Sequence, residues 1–346
     1  MQPEMQVEEV SPADAAWDRY VVGHARASGY HLMAWRRIIE TVFGHRAFYL
    51  AAKDGQGQIR GVLPLVCLSS RLFGRFLVSL PFVNYGGVLA DAAAAQEALL
   101  ERAVDLAKEL KVDHVELRHE QVPGLQWPDK QHKVSMRLRL CEDFDALQRK
   151  FPAKLRSQIR RAEKEGMTFR LGSDDALEDF YAVFSRNMRD LGTPVYGRTF
   201  FAEILKSFSE TSRIGVVYLK DRPVAAGFLY AFRRVLEIPW ASSDRRYNRQ
   251  APNMLLYNSV LKYGCERGFG VFDFGRSTPG GGTYKFKEQW GARPVQLHWH
   301  YWLSNGGPLP DLSPSNAKFR WAILLWQRLP LFVSERLGPS ISRSIP

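Results

Sequence analysis

The chemistry this sequence could carry begins with Lys287, in the run FDFGRSTPGGGTYKFKEQWG (272–291), behind a strand pattern and a glycine-rich turn. An ammonium at the rim of a strand end can face an oxyanion as it develops. The plainer reading of the same position is an exposed lysine on a loop. Asp273 and Arg276 flank that strand end and suit an ion pair that fixes the turn. Asp91 ends NYGGVLAD (84–91) just ahead of a helix pattern, where a carboxylate would orient or deprotonate an amine, or equally cap the helix. Asn253 opens a second helix pattern behind Pro252. Unpaired backbone N–H groups at such a place can hold a phosphate, although Ala251 and Pro252 stand where glycines would let it come close. Arg156 and Arg160 lie four residues apart in KLRSQIRRAEKEG (154–166), beside Arg161, a face suited to phosphate or uronate or simply to water. The sequence has no GxSxG elbow, no cysteine beside a histidine and no HExxH run. What these side chains suit is direct attack of an amine on an activated carbonyl, which needs positioning and oxyanion stabilisation but no covalent nucleophile. His114, His119, His298 and His300 fall in strand patterns and read as structural, with no metal expected.

The elements that must position these residues occur twice. AFYLAAKDGQGQIRGVLPLV (47–66) and RIGVVYLKDRPVAAGFLYAF (213–232) each place two apolar runs around an Asp-containing turn, which predicts a hairpin. A third β-rich run follows each: FLVSLPF (76–82) and VLEIPWA (235–241). Then comes an amphipathic helix that runs into a buried strand, ending in VDHVELR in one half and GVFDFGR in the other. KVSMRLRL (133–140) is expected to close the first unit and PVQLHWHYWL (294–303) the second. This predicts an α/β protein of two mixed sheets, with modules at 1–150 and 151–310. The basic helix 154–166 would join them. A C-terminal helical tail, 311–346, splits at Pro330 into two short helices rich in Trp and Leu.

Several of these stretches resemble the FemAB family, and within it the branch associated with exosortase and PEP-CTERM exopolysaccharide gene clusters. The clearest is FDFGRS, a glycine-rich turn, then Phe286-Lys287 ahead of Trp290-Gly291; SRLFGRFLVSLPFVNYGG (70–87), VELR (115–118), RDLGTPVYGRTFF (189–201) and the tail from NAKFRW also match. The resemblance implies two tandem GNAT-like acyltransferase modules that transfer an acyl or aminoacyl group to an amine of a cell-envelope or exopolysaccharide precursor. It implies acyl-CoA or aminoacyl-tRNA as donor substrate, a small-molecule or lipid-linked saccharide as acceptor, and no permanently bound cofactor. Residue by residue, it points to Lys287 and Asp91 as catalytic. Tyr85, Arg156, Arg160, Arg276 and Tyr284 would bind substrate, and Asn253 and Phe286 the donor. Two departures stand out: the three glycines 280–282 replace a shorter lysine-containing loop, and no long helical hairpin interrupts the second module, so an RNA-grasping arm is not evident. The competing reading is a non-catalytic GNAT-like protein that binds acidic saccharides or lipid head groups in an export system.

Composition fits these expectations. A chain of 346 residues exceeds one ordinary core. The net charge of +12 draws polyanions, among them phosphate-bearing donors, tRNA and anionic lipid. Three scattered cysteines suit a reducing compartment, and neither an export leader nor an apolar run of about eighteen residues is present. The expected location is cytoplasmic; the tail, where residues 314–346 carry five basic side chains against one acidic, is expected to dock on the second module first and to make reversible contact with the inner membrane face second.

Overall fold

The computed structural model describes residues 5–70, 74–121, 124–310 and 320–345. In chain order the strands of the first half are β1 (Gln6–Glu9), β2 (Arg46–Lys53), β3 (Ile59–Ser70), β4 (Gly74–Val78), β5 (Leu89–Ala90), β6 (His114–His119) and β7 (Asp129–Lys130). Then follow β8 (Val134–Arg139), β9 (Met167–Gly172), β10 (Ser212–Leu219), β11 (Arg222–Phe232), β12 (Val235–Ser243), β13 (Val271–Ser277), β14 (Arg293–Gln296) and β15 (His298–Leu303). The helices are α1 (Ala15–Gly23), α2 (Ala34–Phe43), α3 (Ala93–Glu109), α4 (Phe144–Arg149), α5 (Ala153–Lys164) and α6 (Leu177–Leu191). They continue with α7 (Arg198–Ser207), α8 (Pro252–Glu266), α9 (Gly282–Glu288), α10 (Arg320–Trp326) and α11 (Leu331–Ser342).

Two mixed sheets form, and they correspond strand for strand. The first runs β1-β2-β3-β4-β6-β15-β7, with β5 beside β3; the second runs β9-β10-β11-β12-β13-β8-β14. Both expected hairpins are present, β2 with β3 and β10 with β11, each antiparallel. In each sheet the strand before the long helix and the strand after it pair in parallel over three residues. These are Phe76, Leu77 and Val78 against His114, Val115 and Glu116, and Val235, Leu236 and Glu237 against Val271, Phe272 and Asp273. Beyond Glu237 and Asp273, β12 and β13 run on without pairing to each other. This is a splayed opening of the kind expected of a GNAT-like sheet.

The closing strands depart from expectation. β8 pairs with β13 in the second sheet, Val134 opposite Ser277 through Arg139 opposite Val271. β15 pairs with β6 in the first, His298 opposite His119 through Leu303 opposite His114. Each segment thus completes the sheet that the other was expected to close. Both alternate apolar and polar residues, so either satisfies the same place in either sheet, and the pattern alone could not assign them. The compact units are accordingly discontinuous: the chain to His132 with the segment from Gln296 and the terminus from Arg343, and Lys133–Val295 with the tail to Ser342. The contiguous modules 1–150 and 151–310 are corrected to these limits.

In the first unit α3 lays Leu99, Ala103 and Leu106 on the β2-β3 face, against Leu50, Leu63 and Leu65. In the second, α8 buries Leu256, Val260 and Leu261 against β11 and β12, and α5 adds Leu155, Ile159 and Ala162. α5 is therefore a core helix of the second unit and not a linker, because an apolar stripe at i, i+4 and i+7 underlies its arginines. α10 and α11 pack on α6 within the same unit. The Ser185 hydroxyl donates to Glu335 at 2.7 Å and Arg189 to the Leu329 carbonyl at 3.0 Å. A Cβ on Gly192 would lie 2.5 Å from Ile323 Cγ2, so α10 reaches this close only because the residue is glycine. Residues 311–319 of the expected tail lie outside the described residues.

Candidate active site

Lys287 is neither exposed nor on a loop. The glycine turn leads into α9, which starts at Gly282 and holds Lys287 in its last turn, 7% exposed. Phe286 sets the helix in place, edge-on to Tyr257 of α8 at 5.1 Å, and Tyr284 packs on the same core. The ammonium donates to the Gly275 carbonyl at 3.0 Å and the Arg276 carbonyl at 2.9 Å, at the end of β13 that pairs with β8 but no longer with β12. Burial pushes the Lys287 pKa down to about 8, Asp273 and Glu237 pull it back up, and Arg276 adds to the depression. An ammonium has three N–H donors and two are engaged, which leaves one for an incoming oxygen.

The strand end that receives this lysine is rigidly tied. Asp273, fully buried, accepts from Ser135 Oγ at 2.5 Å, Arg137 Nε at 2.9 Å and the Gly275 N–H at 2.8 Å. Where the sequence suggested Arg276 as its ion-pair partner, the pair the structure shows is with Arg137 of β8. The exchanged strand thus reaches the site directly. Ser277 Oγ, at the end of β13, is buried without a hydrogen-bond partner, as is Trp290 Nε1. A groove of about 690 Å³ opens beside Trp290, lined among others by Arg137, Leu138, Phe151 and Arg293. Sequence reasoning passed over Arg137, Glu237 and Ser277. Two signals were available: a glutamate inside the apolar run VLEIPWA, and the alternation of Ser135 and Arg137 with buried neighbours.

The remaining predicted residues fall in several places. Asn253 lies at the start of α8, its amide donating to Ser243 Oγ at 3.0 Å across the top of β12. The helix start is a poor phosphate cradle, since Pro252 has no N–H and the Met254 N–H goes to the Ala251 carbonyl. Arg276 is exposed at the end of β13. Arg156 turns back to the carbonyls of Arg149 and Phe151, at 3.1 and 2.6 Å, and so ties α5 to the end of α4, while Arg160 is exposed. Tyr85 and Asp91 belong to the first unit, whose corresponding opening is filled by its own chain. The Ser79 N–H donates to the Glu116 carbonyl, the Gly86 N–H to that of Arg118, and the Val88 N–H to His119 Nε2. Tyr85 is buried there, edge-on to Tyr30 at 5.3 Å. Asp91 accepts from the Tyr20 hydroxyl at 2.9 Å and lies 3.8 Å from Arg60. It does not cap α3, whose N-cap is Ala92 without a side-chain bond.

Residues 149–288, inside the second unit, match a family model described as an acetyltransferase (GNAT) domain, so the chain carries a GNAT-type acyltransferase domain. No curated protein matches the sequence. Among solved structures, a crystal structure of FemX is similar over 85% of this chain and 97% of its own, with 15% identity and a TM-score of 0.66. A tandem GNAT protein from the clavulanic acid biosynthesis pathway is similar over 89% and 100%, with 13% identity and a TM-score of 0.56. L-PGS from Bacillus licheniformis is similar over 93% and 98%, with 13% identity and a TM-score of 0.55. At such identities the likeness is one of fold, and the fold is that of tandem GNAT-like modules.

Proposed function

We propose that this chain is an N-acyltransferase of the FemAB type, which moves an acyl or aminoacyl group from acyl-CoA or aminoacyl-tRNA to an amine of a cell-envelope or exopolysaccharide precursor. The observation that carries the reading is Lys287, buried at the splayed end of the second sheet with one N–H uncommitted. The acceptor nitrogen attacks the donor carbonyl, a C–N bond forms, and the negative charge collects on the carbonyl oxygen. The third Lys287 N–H donates to that oxygen. Collapse expels the thiolate or the ribose hydroxyl, and the proton lost by the amine leaves with it. No covalent enzyme intermediate is formed. The groove beside Trp290, which Lys287 does not line, carries Arg139, Lys150 and Arg293 and suits an anionic group of the acceptor, a saccharide phosphate or uronate. In the first unit Tyr85 is buried and Asp91, though exposed, is engaged by Tyr20 and Arg60, so Lys287 is the first residue to test.

The experiment pairs acyl-CoA donors or charged tRNAs with amino-sugar nucleotides and searches for a new amide by mass spectrometry. Product from the wild type and its loss in a folded Lys287→Met variant support the reading. Product formed equally well by that variant removes Lys287 from the chemistry. If no pairing yields product while a saccharide phosphate co-purifies with the protein, the binding-protein reading takes its place.

A further inference from the structure

Seven large apolar side chains are exposed among the described residues, and five of them, Trp321, Leu324, Leu325, Phe332 and Leu337, belong to α10 and α11. Exposed leucines scattered over a surface need no explanation, but this concentration on two short helices does. Trp321 is 76% exposed, Phe332 72% and Leu325 64%. The face that holds the tail to α6 is a different one, made by Ile323 against Gly192, Glu335 with Ser185, and the Leu329 carbonyl with Arg189. Leu191, at the end of α6 beside Gly192, is also exposed. Three exposed arginines, Arg320, Arg328 and Arg336, lie along the same segment. Its one carboxylate, Glu335, receives the Ser185 hydroxyl and is drawn towards α6.

From this arrangement we infer that the outer face of α10 and α11 is a foot that rests reversibly on an anionic bilayer. Trp321, Leu325 and Phe332 enter the headgroup region, and the three arginines meet lipid phosphates. A tryptophan with apolar neighbours and flanking cations suits that boundary, where its ring is half in hydrocarbon and its N–H in water. No described helix is long and apolar enough to cross a membrane, so the contact is peripheral. A second copy of the chain fits the face poorly. An isologous pairing would bring its arginines against each other, and the patch is far smaller than the 20 to 30 or so residues a side of a stable interface. The inference does not rest on acyl transfer, and it is tested without turnover.

The test is co-sedimentation with vesicles of phosphatidylglycerol and phosphatidylcholine, against vesicles of phosphatidylcholine alone. The wild type should pellet with the anionic vesicles and be released by salt. Replacing Arg320, Arg328 and Arg336 by Gln should lower partitioning on the order of a hundredfold. Replacing Trp321, Leu325 and Phe332 by Ser should lower it at least about tenfold, with the melting temperature unchanged because these side chains are exposed. Should the triple Ser variant not fold, the Trp321→Ser variant and the salt titration decide. Equal binding to neutral vesicles, or indifference to both sets of substitutions, overturns the inference. So does a dimer of the wild type that the Ser substitutions abolish, because the face is then an interface between copies.

Discussion

A lysine buried among carbonyls is a compromise between two demands, and Lys287 makes both measurable. Its folded pKa of about 8 lies below the ordinary 10.5. Between those values the unfolded chain holds the proton and the folded chain does not, so stability rises with pH over that window and is lowest below pH 8. An oxyanion donor needs the ammonium, so turnover should fall through the same window. The expected outcome is a divergence: from pH 8 to 10 the melting temperature holds or rises while activity drops. The Lys287→Met variant should show neither trend. At neutral pH its melting temperature should change little, because removing a desolvation cost of about 3 kcal/mol offsets the loss of the bonds to Gly275 and Arg276. Its turnover should fall by about a hundredfold to a thousandfold. A variant that loses activity and stability together would mean that the lysine's role is structural.

Among the elements, the segment 79–90 is the one whose behaviour follows most directly from its contacts. It is held in the first unit's opening by two histidines that must stay neutral. His119 Nε2 accepts from the Val88 N–H, and His31 Nε2 donates to the Gly87 carbonyl at 3.0 Å. Burial pushes the His31 pKa down to about 4. A depressed folded pKa means that the stabilisation is complete above about 6.5 and is lost as pH falls towards 4, at most about 3 kcal/mol from this residue. Thermal unfolding should therefore weaken over that interval, and His31→Gln should flatten the profile while lowering its plateau. Gly87 is a second lock. A Cβ there would lie 2.2 Å from the His119 ring and 2.7 Å from the Arg118 carbonyl, and backbone cannot move aside as a side-chain tip can. Gly87→Ala should cost on the order of 3 kcal/mol, measured by denaturant unfolding. An unchanged midpoint would show that the segment is not held as described.

Over the whole molecule, the exchange of closing strands decides which pieces can fold. The fragment 1–150 contains β8 but lacks β15, so its β6 has an unpaired edge where β15 pairs with it in the full chain. That fragment should be unfolded or aggregated by circular dichroism and size-exclusion chromatography. Residues 1–132 joined to 296–310 should do better. Gln296 donates to the Gln131 carbonyl at 3.1 Å, so the two ends already lie together. Cooperative unfolding of 1–150 alone would contradict the strand assignment.

By itself the sequence determined what local rules can reach. Turn chemistry and period-two runs marked both hairpins, and 3.6-residue periodicity marked α3 and α8, because each depends on residues close in the chain. Those elements recur in the same order in both halves, so the duplicated sheet was legible, and with it the place of Lys287 behind a glycine turn. Tertiary structure decided the rest. KVSMRLRL and PVQLHWHYWL make the same demands of a neighbouring strand, and only the three-dimensional arrangement brings the first to β13 and the second to β6. The arginines of α5 hid its apolar stripe until α8 was there to cover it. The burial of Lys287 likewise depends on the carbonyls of a strand end eleven and twelve residues away, and on the carboxylate of Asp273, which Ser135 and Arg137 reach from β8 across a sheet. Strand pairing and desolvation depend on contacts between residues distant in the chain, and spacing along the sequence carries no record of them.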